Sequence, residues 1–233
     1  MYDFHSHILP CVDHGSRSPE NTERQLALLA ANGVTHAVAT PHFYPDEWDS
    51  VESFLIHRKK GEDAMRPLLK GAGVQVYLGA EVLLSEGLEH MEDLSRLCIE
   101  GTNILLVEMP FFRWSDRLTR TAFRIMNSGV CVMLAHVDRY PRKDVEKLFK
   151  AGAVGQVNCS AFASPFRRAA YRVWVKEGFV TAIGTDIHAA HDFREKNILR
   201  ARRYLGEDLS AKLDGMASTM LSPARALGEI SAP

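Results

Sequence analysis

The sequence predicts an α/β protein, organised as a closed or nearly closed barrel of β/α units. Short apolar runs alternate with longer helical patterns along the whole chain, which is typical of a parallel sheet covered by helices. The chain has 233 residues, 46% of them apolar and 24% charged, the balance of a globular protein with a sizeable core. No linker, low-complexity tract or long repeat divides it, so we expect a single domain over residues 1–233.

Seven short runs rich in valine, isoleucine, leucine or alanine predict the strands. They cover residues 2–5, 36–40, 74–80, 104–108, 131–135, 154–158 and 180–184. The intervals between them predict helices over 19–32, 51–69, 85–97, 116–127, 143–150, 166–176 and 193–204, with one or two closing helices over 209–227. Ser18 followed by Pro19 is a typical helix start. Glycines follow three later helices, at Gly129, Gly152 and Gly178.

Composition excludes several classes of function. The formal net charge is -1, so the chain has no basic surplus to neutralise the phosphates of nucleic acid. The longest apolar stretch, 130–135, is far shorter than the roughly 18 to 20 residues of a membrane-spanning helix. The first residues carry no basic segment followed by an apolar one, so we expect a cytoplasmic protein. The four cysteines stand far apart with no Cys-x-x-Cys pair, which argues against a zinc knuckle or a redox dithiol.

Potential metal ligands gather at the predicted strand ends. In parallel β/α barrels, functional side chains lie at the carboxyl ends of the strands, which meet at one rim. Six of the seven predicted strands end at or next to a histidine or a carboxylate. These residues are His5, His7, His42, Glu81, Glu108, His136, Asp186 and His188. A lone histidine is usually a hydrogen-bonded core or surface residue, but chance is a poor explanation for six strand ends.

Local spacing supports a metal centre. His5 and His7 are two residues apart, so both imidazoles leave the strand on the same face. Asp186 and His188 repeat this spacing. Bound cations would neutralise the carboxylates, whose burial without a partner is costly. Mixed nitrogen and oxygen donors suit manganese, iron or zinc, and the residue types select none of the three.

Eight segments combine these residues with characteristic neighbours. They are Asp3-Phe4-His5-Ser6-His7-Ile8-Leu9-Pro10, Asp13-His14-Gly15, Thr40-Pro41-His42, Gly79-Ala80-Glu81, Glu108, Ala135-His136-x-x-Arg139-Tyr140, Gln156-x-Asn158 and Thr185-Asp186-x-His188. In sequence and spacing the set resembles the polymerase-and-histidinol-phosphatase (PHP) superfamily, and more narrowly its bacterial capsule-type tyrosine phosphatases. The resemblance runs from the first residue to about Tyr204.

The resemblance implies a distorted (β/α)7 TIM-like barrel of the PHP fold. It also implies two or three divalent metal ions, most often manganese, with iron or zinc as the other candidates. The implied ligand groups are His5, His7, Glu81 and Asp186 for one metal, Glu81, Glu108 and His136 for a second, and His14, His42 and His188 for a third. The capsule-type branch usually has Asp-Asp-Gly where this chain has Asp13-His14-Gly15, so either His14 or Asp13 is the candidate ligand of the third metal.

The function implied by the resemblance is that of a metal-dependent phosphomonoesterase, specifically a protein-tyrosine phosphatase. Its partner would be the phosphotyrosine tail of an autophosphorylating tyrosine kinase of capsule or exopolysaccharide synthesis. Water activated by metals would be the nucleophile, so no covalent enzyme intermediate is needed. Glu81 would bridge two metals, and Arg139 would bind the phosphoryl oxygens through forked hydrogen bonds. Arg194 and Arg17 are further candidates for substrate binding.

Three other interpretations stay open. The segment from Cys11 to Arg17 fits the Cys-x5-Arg pattern of thiol-dependent tyrosine phosphatases, although the carboxylate of Asp13 within it would repel a phosphate dianion. The same metal ligands would serve a histidinol-phosphate-type phosphatase. A non-catalytic metal-binding scaffold is also compatible with fold and ligands.

Aromatic residues follow several of the predicted strand ends. They are Phe43, Tyr44, Phe111, Phe112 and Trp114. Such rings either pack against the barrel or form the wall of a cleft that accepts an aromatic phosphoester.

Overall fold

The computed structural model describes residues 1–111 and 114–227. Its strands are β1 (Tyr2–Ser6), β2 (His36–Ala39), β3 (His42–Phe43), β4 (Gln75–Leu78), β5 (Glu81–Leu83), β6 (Ile104–Glu108), β7 (Cys131–Leu134), β8 (Val154–Asn158) and β9 (Val180–Gly184). Its α-helices are α1 (Pro19–Ala31), α2 (Val51–Met65), α3 (Asp116–Asn127), α4 (Arg142–Lys150), α5 (Arg168–Glu177) and α6 (Glu195–Leu221). In the described part of the chain, no helix is both long and apolar enough to cross a bilayer.

The strands form a parallel sheet that closes on itself. One section has the order β1-β2-β4 and the other the order β3-β5-β6-β7-β8-β9. Segment β9 returns to β1, because the Asp186 N–H donates to the His5 carbonyl at 2.8 Å and Ser6 bridges Ile187 in parallel. The predicted seven-unit barrel is therefore confirmed, with two of its strands divided.

The divided strands begin in the predicted runs 36–40 and 74–80, which contain β2 and β4, and continue just beyond them as β3 and β5. Their pairing continues across the gap, since Gly79 N–H donates to the Ala39 carbonyl at 2.9 Å and Glu81 N–H to the Pro41 carbonyl at 3.0 Å. Proline has no N–H to return to the ladder, so the regular pattern stops at Pro41. It resumes with His42 directly opposite Glu81. The interruption thus sets a histidine beside a glutamate at the rim.

A buried cluster inside the barrel supports the strand ends. It joins Phe4 of β1, Leu106 of β6 and Met133 of β7 with Leu221 near the end of α6. Alternate residues of a strand share one face, so the face of β6 that supplies Leu106 also carries Glu108 at its carboxyl end. A second, larger cluster lies between the strands and the surrounding helices.

The predicted helices formed with one exception. Ser18 accepts a hydrogen bond from the Asn21 N–H at 3.2 Å and caps α1 as expected. The predicted helix 85–97 is wrong: only 3-10 turns form there, because Gly87 and Asp93 have left-handed backbone with φ of 89° and 61°. The predicted helix 193–204 and the predicted closing stretch 209–227 both lie in α6, which breaks between them at Gly206, with φ of 79° and ψ of 175°, and ends at Leu221.

Candidate metal centre

The predicted ligands converge at the carboxyl rim of the barrel. His5 lies on β1 and Glu108 ends β6, while His42 and Glu81 begin β3 and β5 after the strand interruption. His136 follows β7 in left-handed backbone, with φ of 73°. The fully or almost fully buried members are His5, His7, His42, Glu81, Glu108 and His136. Asp186 and His188 are partly buried, and His14 is exposed.

Four donor atoms form a first group. His5 Nε2 lies 3.1 Å from His7 Nε2 and 3.1 Å from Glu81 Oε2. His7 Nε2 lies 3.3 Å from the same Glu81 oxygen. Asp186 Oδ1 completes the group, 3.6 Å from His5 Nε2 and 3.5 Å from His7 Nε2. Tetrahedral coordination with bonds of about 2.1 Å separates neighbouring donors by about 3.4 Å, so these atoms have the spacing that a metal ion needs.

Glu81 lies at the centre of the whole arrangement. Its side chain is 1% exposed, and its Oε1 lies 2.9 Å from His136 Nε2 while its Oε2 lies 3.1 Å from His42 Nδ1. Yet within residues 1–111 and 114–227 neither carboxylate oxygen has a hydrogen-bond partner of acceptable geometry. A buried carboxylate without hydrogen bonds is costly unless a cation compensates it. The donor set therefore fits bound divalent ions, with one Glu81 oxygen directed to each side.

The second group lies on the His136 side of Glu81, where Glu81 Oε1 is 2.9 Å from His136 Nε2. His136 Nε2 lies 3.5 Å from Glu108 Oε1, and His42 Nδ1 lies 3.9 Å from Glu108 Oε2. Ligand atoms of His42, Glu81 and Glu108 all lie within 4.8 Å of one another. Glu81, Glu108 and His136 are thus brought together, with His42 beside them.

The third group is built from stacked imidazoles. Ligand nitrogens of His7, His42 and His188 lie within 4.8 Å of one another. The exposed ring of His14 stacks on this group, with its centroid 4.6 Å from that of His42 and 4.8 Å from that of His188. The structure therefore brings His14 to the mouth of the cluster.

Asp13 has a different position from His14. Its Oδ2 lies 2.6 Å from His7 Nδ1 and accepts the His42 N–H at 3.0 Å, while its Oδ1 accepts the Gly15 N–H at 2.8 Å. Gly15 allows the backbone of this loop to lie close to His7, because a Cβ at position 15 would lie only 2.4 Å from His7 Cβ. A carboxylate on Nδ1 holds the proton there and leaves Nε2 free to face a metal.

Other side chains orient the histidines in the same way. His5 Nδ1 lies 3.1 Å from Gln156 Oε1, and Gln156 Nε2 donates to Asn158 Oδ1 at 2.9 Å. Asn158 Nδ2 in turn donates to Asp186 Oδ2 at 3.0 Å, so the chain of hydrogen bonds begins and ends on the first donor group. Sequence reasoning assigned no role to Gln156 and Asn158. Their two-residue spacing on one strand puts both side chains on the same face, and this spacing could have indicated that they act together at the rim.

Tyr140 holds His136. Its hydroxyl oxygen accepts the Met109 N–H at 2.9 Å and lies 3.0 Å from His136 Nδ1. A proton on Nδ1, donated to Tyr140, leaves Nε2 directed at Glu81. Sequence reasoning did not assign this role to Tyr140, although the residue lies in the segment 135–140, which follows the predicted strand and contains His136.

Electrostatics couple these groups tightly. Burial alone would lower the pKa of His136, but the adjacent carboxylates of Glu108 and Glu81 outweigh it and raise that pKa to about 9. Burial also lowers the pKa of His7, but the carboxylates of Asp13, Asp186 and Glu81 outweigh burial and raise this pKa well above its usual value. The pKa of His42 is lowered to about 3 by burial and by the positive charge of His7. Histidine protons and metal ions therefore compete for the same nitrogens.

The three predicted phosphate-binding arginines have different positions. Arg139 Nη2 pairs with Asp186 Oδ2, and 39% of its side chain is exposed beside the centre. Arg194 Nη1 donates to the carbonyls of His191 and Phe193 in its own loop. Arg17 is exposed on the loop that follows β1. Of the three, Arg139 is the one paired with a residue of the donor cluster.

The Cys11 to Arg17 loop lacks the geometry of a thiolate phosphatase. In such enzymes the loop amides point at the bound anion. Here Cys11 N–H donates to the Ser16 carbonyl at 2.7 Å, Ser16 N–H donates to the His7 carbonyl at 3.0 Å, and the Gly15 N–H is bound to Asp13. These amides are occupied by the protein itself, which argues against the cysteine mechanism.

The aromatic residues at the strand ends divide between packing and exposure. Phe43 is fully buried against Phe54 and belongs to the core. Trp114 packs edge-on against Tyr140, with ring centroids 5.4 Å apart. Tyr44, partly buried, stacks on His42, and Phe111 is exposed beside His136. Phe112 lies outside the described residues.

A closed parallel barrel with buried histidines and carboxylates at its rim defines a class of metal-binding β/α-barrel proteins. Comparison with known families narrows this class. The chain belongs to the family described as "Capsular polysaccharide synthesis, CpsB/CapC", whose model matches residues 1–218. The resemblance drawn from the sequence is thereby confirmed.

Known relatives have low sequence identity to this chain, but their alignments cover most of its length. The tyrosine-protein phosphatase CpsB of Streptococcus pneumoniae is 24% identical over 206 residues, which are 81% of this chain and 83% of that protein. The tyrosine-protein phosphatase YwqE of Bacillus subtilis is 24% identical over 183 residues, 71% of this chain and 67% of that protein.

Solved structures share the fold. One described as YwqE from Bacillus subtilis and CpsB from Streptococcus pneumoniae, "unique metal-dependent tyrosine phosphatases", gives a TM-score of 0.78 at 18% identity and covers 98% of both chains. A histidinol phosphate phosphatase from Lactococcus lactis, complexed with zinc, L-histidinol and phosphate, gives 0.57 at 11% identity, covering 88% of this chain and 92% of that one.

Proposed function

We propose that this protein is a metal-dependent phosphomonoesterase that removes phosphate from phosphotyrosine in proteins. The observation that carries the proposal is the buried Glu81 carboxylate, which lacks hydrogen bonds in the described structure and lies between histidine nitrogens on both sides. Family membership and relatives named as tyrosine-protein phosphatases support the reaction and substrate class.

The proposed ligands follow the three donor groups. His5, His7, Glu81 and Asp186 would hold one ion, Glu81, Glu108 and His136 a second, and His14, His42 and His188 a third. We favour His14 over Asp13 for the third ion, because both Asp13 oxygens already accept hydrogen bonds. Manganese suits these mixed donors, with iron or zinc as alternatives.

When bound, divalent ions supply a hydroxide nucleophile at neutral pH and neutralise the phosphoryl oxygens. The protein contributes by holding its ligands in fixed orientations. Asp13, Gln156 and Tyr140 bind the Nδ1 atoms of three histidines and so direct each Nε2 toward the centre. Arg139, anchored by Asp186, offers its remaining N–H groups to phosphoryl oxygens. Glu81 and Arg139 are therefore the proposed catalytic pair of residues.

We further propose that the substrate is the phosphotyrosine-bearing tail of an autophosphorylating bacterial tyrosine kinase in capsule or exopolysaccharide synthesis. The family description supports the link to capsular polysaccharide. The shared fold with a histidinol phosphate phosphatase keeps a small-molecule phosphomonoester as the second candidate substrate.

The test is turnover by the metal-stripped protein. Chelator-treated protein is assayed with a phosphotyrosyl peptide and with histidinol phosphate, before and after manganese is restored. We expect no turnover before metal addition, and after it a higher kcat/KM on the peptide. Full activity in excess chelator would overturn the metal assignment, and preference for histidinol phosphate would overturn the substrate assignment. No turnover of either substrate with metals bound would favour a scaffold.

A further inference from the structure

Phe111 is a large apolar side chain left in solvent beside the metal centre. It is 70% exposed, and it follows Glu108, a proposed metal ligand, by three residues. Its ring is nearly parallel to that of His136, at 14° with centroids 6.4 Å apart, and lies 6.3 Å from Tyr140. Exposing an aromatic ring forgoes the gain from burying it, so its place at the mouth needs an explanation.

The loop that carries Phe111 is anchored by its neighbours. Trp114 Nε1 donates to the Pro110 carbonyl at 3.1 Å, and its ring packs edge-on against Tyr140. Tyr140 accepts the Met109 N–H, and Met109 is fully buried. The chain is therefore held on both sides of Phe111 while the ring itself stays accessible.

A second ring borders the cluster at another strand end. Tyr44 stacks on His42 at 17°, with centroids 4.9 Å apart. Burial and the nearby charges of Glu108 and Glu81 raise its pKa. Each of these rings thus lies beside a different histidine next to Glu81.

We propose that Phe111 is a specificity-determining residue, whose exposed face stacks on the phenyl ring of phosphotyrosine and selects aryl over alkyl phosphomonoesters. This inference rests on the proposed phosphatase function and deepens it. The phosphoryl group would lie at the metal centre, and the leaving phenol would extend outward past His136 to Phe111. Tyr44 would border the other side of the metal centre, next to His42. An alkyl phosphate such as phosphoserine presents no ring and gains nothing from this contact.

The test compares manganese-loaded wild type and Phe111→Ala on two peptides that differ only in phosphotyrosine or phosphoserine. Loss of one aromatic contact should lower kcat/KM on the phosphotyrosyl peptide by about fivefold to tenfold, mainly through KM, and leave the phosphoseryl value within about twofold. Phe111→Trp should restore the preference, and Phe111→Leu should restore it only in part. The affinity for a peptide carrying a non-hydrolysable phosphonate analogue of phosphotyrosine should fall by the same factor.

Phe166→Ala is the matched control. Phe166 is 93% exposed, and no stacking of its ring on a cluster histidine occurs in the described part of the chain. Its removal should leave the ratio between the two peptides unchanged.

The outcomes separate the two proposals. An active wild type whose Phe111→Ala variant loses equally on both peptides, or on neither, would overturn the aromatic selection alone. A metal-loaded wild type inactive on both peptides would overturn the phosphatase function and this inference with it.

Discussion

Replacing Asp13 by asparagine tests how the ligand histidines are held. The carboxylate accepts from three groups: His7 Nδ1 at 2.6 Å, the His42 N–H at 3.0 Å and the Gly15 N–H at 2.8 Å. An amide has a single acceptor oxygen, so in Asp13→Asn its NH2 must face at least one of these donors. The variant keeps the volume of the side chain and changes only its hydrogen bonding and charge.

The expected loss follows from this geometry. One buried donor left without an acceptor and a weakened bond to His7 together should lower the free energy of unfolding by about 2 to 4 kcal/mol. Loss of the carboxylate behind His7 should weaken metal binding by about tenfold to a hundredfold. Burial raises the pKa of Asp13, but the hydrogen bond with His7 lowers it by more. The pKa of Asp13 therefore lies well below its usual range, and the carboxylate is ionised in all ordinary buffers.

Urea unfolding of the metal-free protein measures the first effect, and a manganese titration of phosphatase activity measures the second. Asp63→Asn is the control, since Asp63 is exposed and pairs with Lys59 and Arg66 on the surface. That change should alter stability by less than about 1 kcal/mol. Unaltered unfolding midpoint and manganese dependence in Asp13→Asn would refute the positioning role.

Three further predictions follow from the site. Cys11→Ser should retain at least half of wild-type phosphatase activity, because the proposed nucleophile comes from water; complete inactivation with metals still bound would revive a thiolate mechanism. Tyr140→Phe should raise the manganese concentration for half-maximal activity by about tenfold while keeping the rate at saturation, because His136 loses its hydrogen-bond acceptor; an unchanged manganese dependence would exclude that role. Since the pKa of His136 is raised to about 9, manganese must displace its proton near pH 7. Manganese affinity should therefore fall as pH is lowered below about 9, with protons released on binding; calorimetry in two buffers of different ionisation enthalpy measures the release, and an affinity independent of pH would contradict it.

Much of the fold was predictable because its signals are local. Apolar runs such as 104–108 and 180–184 coincide with β6 and β9, and Ser18 caps α1 as its type and position predict. The failure at 85–97 has a physical cause as well. Its composition is compatible with a helix, but Gly87 and Asp93 take left-handed backbone immediately before the 3-10 turns Leu88–His90 and Leu94–Leu97, so no continuous helix forms.

The candidate site was predictable to the level of residue types at strand ends, but not to their hydrogen bonds. That Asp13 bonds to His7 and to the backbone of His42 depends on how the loop after β1 folds over the rim, and Gly15 permits that fold. The position of Arg194, directed at carbonyls of its own loop, also depends on tertiary structure. The assignment of ligands to individual metals stays a prediction.

Glu81→Ala tests the central claim, which is that one buried carboxylate joins two metal ions on which the reaction depends. The measurement is the number of manganese ions per chain, by elemental analysis after loading and desalting, with phosphatase activity of the same sample. We expect about two or three ions and full activity in wild type and in Glu92→Ala, an exposed control. Glu81→Ala should retain at most one ion and lose activity by about a hundredfold or more. A Glu81→Ala protein that binds as much manganese as wild type and remains fully active would contradict the account.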